Sequence, residues 1–318
     1  MSNNSAMQLQ LPALGDVSVL DEPADVSRDD SEPASVGRLR FRLARRRALR
    51  LGHYLLRRPG FVLALLFTAA VVLAAVYPTA FTGVDPMRTV PREMLRPPSL
   101  AHPFGTDQLG RDLFSRVVHG SSLTIRAALL AVTIALLVGL VLGVLSGFVG
   151  GVLDAVAMRV VDVMLAIPGL LLALAIVTAL GFGTIPVAIA VGVGIAPGFT
   201  RTTRAEVLKV RSLPYIEAIK VGGATWLRLV VRHVLPNSWG PVAALTVLEF
   251  GAAVLSVAGL SFLGFGVAPP AAEWGTLIAN GRAFIATAPW VSLMPGLVVA
   301  GLVFGLTHIS RSLAERGR

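Results

Sequence analysis

Long apolar runs alternate along the chain with shorter polar intervals rich in arginine. The runs fall at about Phe61–Phe81, Leu123–Phe148, Val160–Leu180, Ile185–Phe199, Val242–Phe262 and Val291–His308. Most approach the ~20 apolar residues that a helix needs to cross a bilayer, so the pattern predicts an all-α polytopic membrane protein with six transmembrane helices. A barrel would show short alternating segments instead. Pro168-Gly169 and Pro197-Gly198 interrupt the third and fourth runs. Each proline removes a helix hydrogen bond, so kinks are expected there.

The interval that stands apart is Ser212–Asn237, polar and basic between two apolar runs. Pro214 suits the first turn of a helix, where its missing N–H costs nothing. Tyr215, Ala218 and Ile219 then form an i, i+3, i+4 stripe, with Glu217 and Lys220 turned elsewhere. Gly222-Gly223 ends that helix, Thr225 is an N-cap for a second one through Val234, and Pro236 stops it or opens the next span. Taken alone, this is an amphipathic loop lying on the membrane surface.

Other polar features are fewer. His102–Arg116 contains Gly105-Thr106-Asp107 and Gly110-Arg111-Asp112, where Asp107/Arg111 and Asp112/Arg116 have the i, i+4 spacing of an ion-paired, solvated helix. Gly139, Gly143 and Gly147 line one face of the second span and let another helix approach closely. Asp162 enters the third span, where a lone carboxylate costs roughly 2.5–3.5 kcal/mol at mid-membrane, and Arg159 one turn back can pair with it. Glu249 lies deep in the fifth span without a nearby cation in sequence, so it faces the bundle interior, a cavity or a partner. Glu249 and Asp162 are the two pathway candidates, since ionisable groups inside spans mark transport routes. Near Pro269–Arg282, Glu273-Trp274-Gly275 places a tryptophan suited to an interfacial belt.

Composition narrows the class. Of 318 residues 54% are hydrophobic and only 14% charged, far below a soluble chain, and the net charge is +10. The arginines flank apolar spans, and no nucleic-acid module is legible. Residues 1–36 are acidic and aperiodic, the composition of a disordered tail; residues 37–60 turn basic, a juxtamembrane segment for anionic lipid or else a docking helix for a partner. No signal peptide is legible in the first 60 residues. With residues 61–310 forming the six-span domain and 311–318 a basic end, both termini and the 204–240 loop fall on the cytoplasmic side. Arg88, Arg92, Arg96, Arg111 and Arg116 in the opposite loop obey that rule weakly.

Without cysteine, thiolate chemistry and cysteine-ligated metals are excluded. Lys209 and Lys220, the only lysines, belong to no phosphate-binding G-x-x-x-x-G-K-[ST] loop, and no metal-binding histidine pair is present. The expectation is a non-enzyme with no cofactor of its own.

Glu217-Ala218, Gly223 six positions after the glutamate, His233 and Leu235-Pro236-Asn237 together resemble the EAA loop of ABC-importer permeases. Ile219 stands where the motif usually has alanine. Gly105-Thr106-Asp107 with Gly110-Arg111-Asp112 resembles the GTDxxGRD signature of the C-type subunit in dipeptide/oligopeptide systems. The likeness covers about Leu51 to the C-terminus. It implies a type I (MetI-like) ABC importer fold in the inner membrane. It also implies a homologous second permease, two ATP-binding subunits that carry the ATP and Mg, and an external substrate-binding protein delivering peptide. Pro214, Tyr215, Glu217, Ala218, Ile219, Lys220, Gly222, Gly223, Arg228, Arg232 and Pro236 would form the ATPase-coupling element. Glu217 would anchor or cap it, and Gly223 would turn it. The 105–112 and 273–275 residues would sit in an external loop and gate. Dipeptides, longer peptides and nickel complexes all occur as cargo in the class. A stand-alone secondary transporter or channel, or a non-transporting scaffold, would fit the bare hydropathy pattern.

Overall fold

The computed structural model describes residues 59–316. The acidic tail and nearly all of the basic segment expected over 37–60 lie outside them. Apart from one isolated bridge between Thr106 and Asp112, the described residues form helices and loops. In chain order these are α1 (Pro59–Val76), α2 (Leu113–Val149), α3 (Gly151–Ala166), α4 (Gly169–Leu180), α5 (Thr184–Arg211), α6 (Pro214–Val221), α7 (Trp226–Leu229), α8 (Leu235–Phe262), α9 (Trp274–Gly281) and α10 (Trp290–Arg316).

Among the described residues five helices are long and apolar enough to span a bilayer, counting Trp226–Phe262 as one; α3 and α4 together make a further, broken one. The third span is therefore not the single helix expected over 160–180: it bends by 96° at Ile167-Pro168. Pro168 has no N–H to continue the ladder, and it holds Ile167 in an extended conformation that ends α3. Pro197 has a milder effect, for α5 continues through it to Arg211, well past the expected end at Phe199.

Helix pairing fixes how often the chain crosses. Gly139, Gly143 and Gly147 of α2 face Phe199, Thr203 and Val207 of α5, and Gly192 of α5 faces Ala131 of α2. Both series ascend together, so α2 and α5 run parallel over several turns. A parallel return requires the intervening α3–α4 pair to cross back, which makes it the sixth span. By the same reasoning α10 is antiparallel to α1, since Gly301 and Gly305 meet Phe67 and Ala64. It is also antiparallel to α8: Ser310 donates to the Ala244 carbonyl while Leu306 packs on Gly251. The start of α1, the end of α10 and the 212–234 segment consequently share one end of the bundle.

The glycines explain why α2 and α5 pack so closely. A Cβ at Gly139 would lie 2.3 Å from Phe199 Cβ, one at Gly143 2.6 Å from Thr203 Cβ, and one at Gly147 2.9 Å from Val207 Cγ1. In lipid, such backbone proximity supplies the packing that hydrophobicity cannot. Ala127, Ala128, Ala131 and Ala135 continue this buried face of α2. Leu63, Leu66, Leu137, Val141, Leu297 and Phe304 are exposed on the outside, a surface suited to lipid or another membrane chain.

Candidate functional site

At one end of the bundle, α6 begins with Pro214 in its first turn and Leu213 extended before it. Its buried face is Ile216 with Ile219, not the expected Tyr215/Ala218/Ile219 stripe; Tyr215, Glu217, Ala218 and Lys220 are exposed. The ends of α2 and α5 lie beneath and decide this rotation. Ile216 joins Val207, Val210, Leu229 and Val234 in a small separate core, flanked by Val144, Phe148, Ile219 and Ala224. Tyr215 is used otherwise: its hydroxyl accepts from Asn237 Nδ2 at 2.9 Å, and its ring lies edge-on to His233. Gly222 closes α6 with ordinary helical-side angles (φ −68°), whereas Gly223 takes φ +83° with nothing near its missing Cβ. The turn thus needs glycine at 223 for conformation rather than for space.

Thr225 occupies the N-cap position, although its side chain makes no capping bond. The second helix does not stop at Pro236. A π turn over Val230–Val234 joins α7 to α8, with Leu235 N–H bonding the Val230 carbonyl. The wider turn accommodates a proline that would otherwise collide with the carbonyl four residues earlier. Asn237 Nδ2 also donates to the His233 carbonyl, binding this junction together. Arg211 donates to the Gly147 and Phe148 carbonyls, closing the C-terminus of α2. Beside it a groove of about 440 Å³ runs between Phe148, Ile216, Lys220 and Trp226. Glu217, Lys220, Arg228 and Arg232 are all exposed, and none forms an ion pair among the described residues.

At the opposite end, 102–116 is neither solvated nor an ion-paired helix. Asp107, Arg111, Asp112 and Arg116 are buried. Asp107 accepts from the backbone N–H of Leu109 and Arg111, and its other oxygen takes Arg111 Nε at 2.7 Å, all within a tight loop. Gly105 and Gly110 supply the loop's positive-φ corners (+75° and +71°), each pressed against backbone carbonyls. Thr106 donates to the Glu93 carbonyl, and Trp290 Nε1 donates to the Thr106 carbonyl. Asp112 does not pair with Arg116; it caps α2 through Ser115 N–H at 2.7 Å and meets His102 Nδ1 at 2.9 Å. Arg116 instead lies 3.5 Å from Asp107 and donates to the Pro86 carbonyl. Capping explains why α2 starts ten residues before the apolar run.

Trp274 is fully buried and not interfacial. Its Nε1 donates to the Val117 carbonyl and its backbone N–H to Thr124. Gly275 allows α9 to sit directly on the Ala258 carbonyl of α8. Glu273 caps α9 and accepts from Ser261 Oγ at 2.7 Å. Burial pushes its carboxyl above the usual glutamate range, against the opposing hydrogen bonds from Ser261 and Val267.

Of the pathway candidates, Asp162 pairs with Arg201 of α5 at 2.6 Å, and Arg159 is left exposed. Asp154 takes both Arg204 Nε and Nη2, at 2.5 and 2.6 Å. Sequence reading missed both arginines as partners, since the pairs are 39 and 50 residues apart. Glu249 has no ion-pair partner among the described residues, and its Oε1 lies 3.9 Å from the Cβ site of Gly198. Nor do the described residues contain a cluster of three or more metal-ligating side chains.

Residues 139–316 match the family model described as "Binding-protein-dependent transport system inner membrane component". The chain is 37% identical over 80% of its length to a dipeptide transport system permease protein (DppC) of Alkalihalophilus pseudofirmus, covering 84% of that protein. It is 40% identical over 79% to the di/tripeptide permease DppC of Pseudomonas aeruginosa, covering 85% of it. Similarity extends to the glutathione transport system permease GsiD of Escherichia coli, at 38% identity over 69% of this chain and 72% of that one. A solved inward-facing MetNI methionine ABC transporter shares the fold at TM-score 0.50 and 20% identity, covering 62% of this chain and 96% of that one. With the six-crossing bundle and these matches in agreement, the chain belongs to the family of binding-protein-dependent transport system inner membrane components.

Proposed function

We propose that the chain is the permease subunit of an ATP-driven importer for short peptides. It works beside a second, homologous permease, above two ATP-hydrolysing subunits and beneath an external binding protein. The observation that carries this is α6: a short helix held to the bundle by its own small core, with Tyr215, Glu217 and Lys220 facing outward. Such a face suits a groove on another protein better than a lipid surface, because its exposed charges include an acid that anionic headgroups repel. Relatives handling dipeptides, tripeptides and glutathione support the cargo class. The basic segments flanking the shared end of the bundle favour the cytoplasm for that end and for both termini.

The geometry suggests how force would travel. ATP binding would draw the partner subunits together and carry α6 with them. Through Ile216 that motion reaches Val207 and Val210 of α5 and Val144 of α2. Because α2 and α5 are locked along the glycine stripe, they would rock as one body, opening the pathway alternately to each side. ATP and Mg would reside on the partner subunits. Reconstituted with its partners and binding protein, the complex should accumulate labelled dipeptide only with hydrolysable ATP. Uptake that ignored ATP and followed an ion gradient would overturn this reading.

A further inference from the structure

Helix α5 has two unlike faces. Ala196, Phe199, Thr203, Val207 and Val210 are buried on the side packed to α2 and the small core. Gly194, Gly198 and Arg201 follow at i, i+4 and i+7, forming a stripe that stays partly or fully open. Glu249, half-buried on α8, brings Oε1 to 3.9 Å from the Cβ site of Gly198. Arg201 lies three residues further along the same stripe, about 4.5 Å in rise. It gives one nitrogen to Asp162 and is 56% exposed, leaving other guanidinium donors open. A carboxylate with no ion-pair partner among the described residues and a half-free guanidinium therefore lie about one turn apart beside an otherwise small-residue stripe.

We propose that this stripe is a cargo-contact site for zwitterionic peptides, with Glu249 receiving the ammonium end and Arg201 the carboxylate end. The rise from Gly198 to Arg201, about 4.5 Å, is on the order of one extended residue at about 3.3–3.6 Å, so a short peptide can reach from one group to the other. Gly194 and Gly198 keep the stripe free of side chains, so that different peptide side chains can pass. This rests on the peptide-import reading.

The test uses the full reconstituted complex with its binding protein and a labelled dipeptide, comparing wild type with Glu249→Gln, Glu249→Asp and Arg201→Gln. Since capture belongs to the binding protein, the half-saturating peptide concentration should stay within twofold. The maximal uptake rate should fall at least tenfold in Glu249→Gln and Arg201→Gln, with binding-protein-stimulated ATP hydrolysis within twofold of wild type. Glu249→Asp should recover at least a third of the rate. Wild-type uptake in Glu249→Gln, or loss of ATP hydrolysis along with uptake, would overturn the site. So would an aspartate variant as slow as the glutamine one. ATP-independent uptake by wild type would instead defeat the import reading itself.

Discussion

Replacing Gly139 by alanine tests the α2–α5 lock. The new methyl would come within 2.3 Å of Phe199 Cβ and 3.0 Å of backbone atoms of Phe199 and Thr200, where ordinary contact begins near 3.4 Å. Neither obstacle is the end of a flexible side chain, so the helices must separate by about 1 Å, and overpacking of this kind costs about 1–3 kcal/mol. Alanine offsets part of that with up to ~1 kcal/mol of helix propensity. At the upper end of that range, which the 2.3 Å overlap favours, the net loss at Gly139 should be about 2 kcal/mol, or roughly 30-fold in the unfolding equilibrium. Gly147→Ala meets Val207 Cγ1 at 2.9 Å, Val207 Cβ at 3.0 Å and the Arg204 carbonyl at 3.1 Å, milder overlaps than at Gly139, so its loss should fall between those of the other two variants. Gly296→Ala has nothing within 4 Å and should be neutral or mildly stabilising. SDS titration of the purified protein in mixed micelles, followed by tryptophan fluorescence, reads all three. A Gly139→Ala protein as stable as Gly296→Ala would show that the close approach of α2 and α5 is not what holds the bundle.

Two further outcomes are expected. Glu217→Lys leaves an exposed position exposed, so stability should change by no more than about 0.5 kcal/mol while peptide uptake per ATP hydrolysed falls at least tenfold; unchanged coupling in the reconstituted complex would remove Glu217 from the docking face. Glu273 has a raised carboxyl pKa in the fold, so its contribution is fully present below the ordinary value of 4.5 and is lost as pH rises through the raised one. Glu273→Gln, which keeps an acceptor for Ser261, should flatten the fall in stability above that value; an unaltered pH profile in the same titration would contradict it.

Residue order alone determined the crossings, the exposed loop between the fourth and fifth of them and the family likeness. Those rest on local signals: runs long enough for a bilayer, a proline–glycine-bracketed amphipathic helix, and motifs contiguous in the chain. Helix ends were less legible. Asp112 extends α2 by capping it, and a π turn carries α8 through Pro236. Which face each element presents was a matter for the tertiary structure. Asp162 chose Arg201 over the nearby Arg159, Trp274 went inside, and Ile216 rather than Tyr215 turned inward. The spacing of residues on one helix shows which side chains could meet, but each side chain settles with the neighbour that helix packing brings nearest. In this bundle that neighbour often arrives from a helix dozens of residues away.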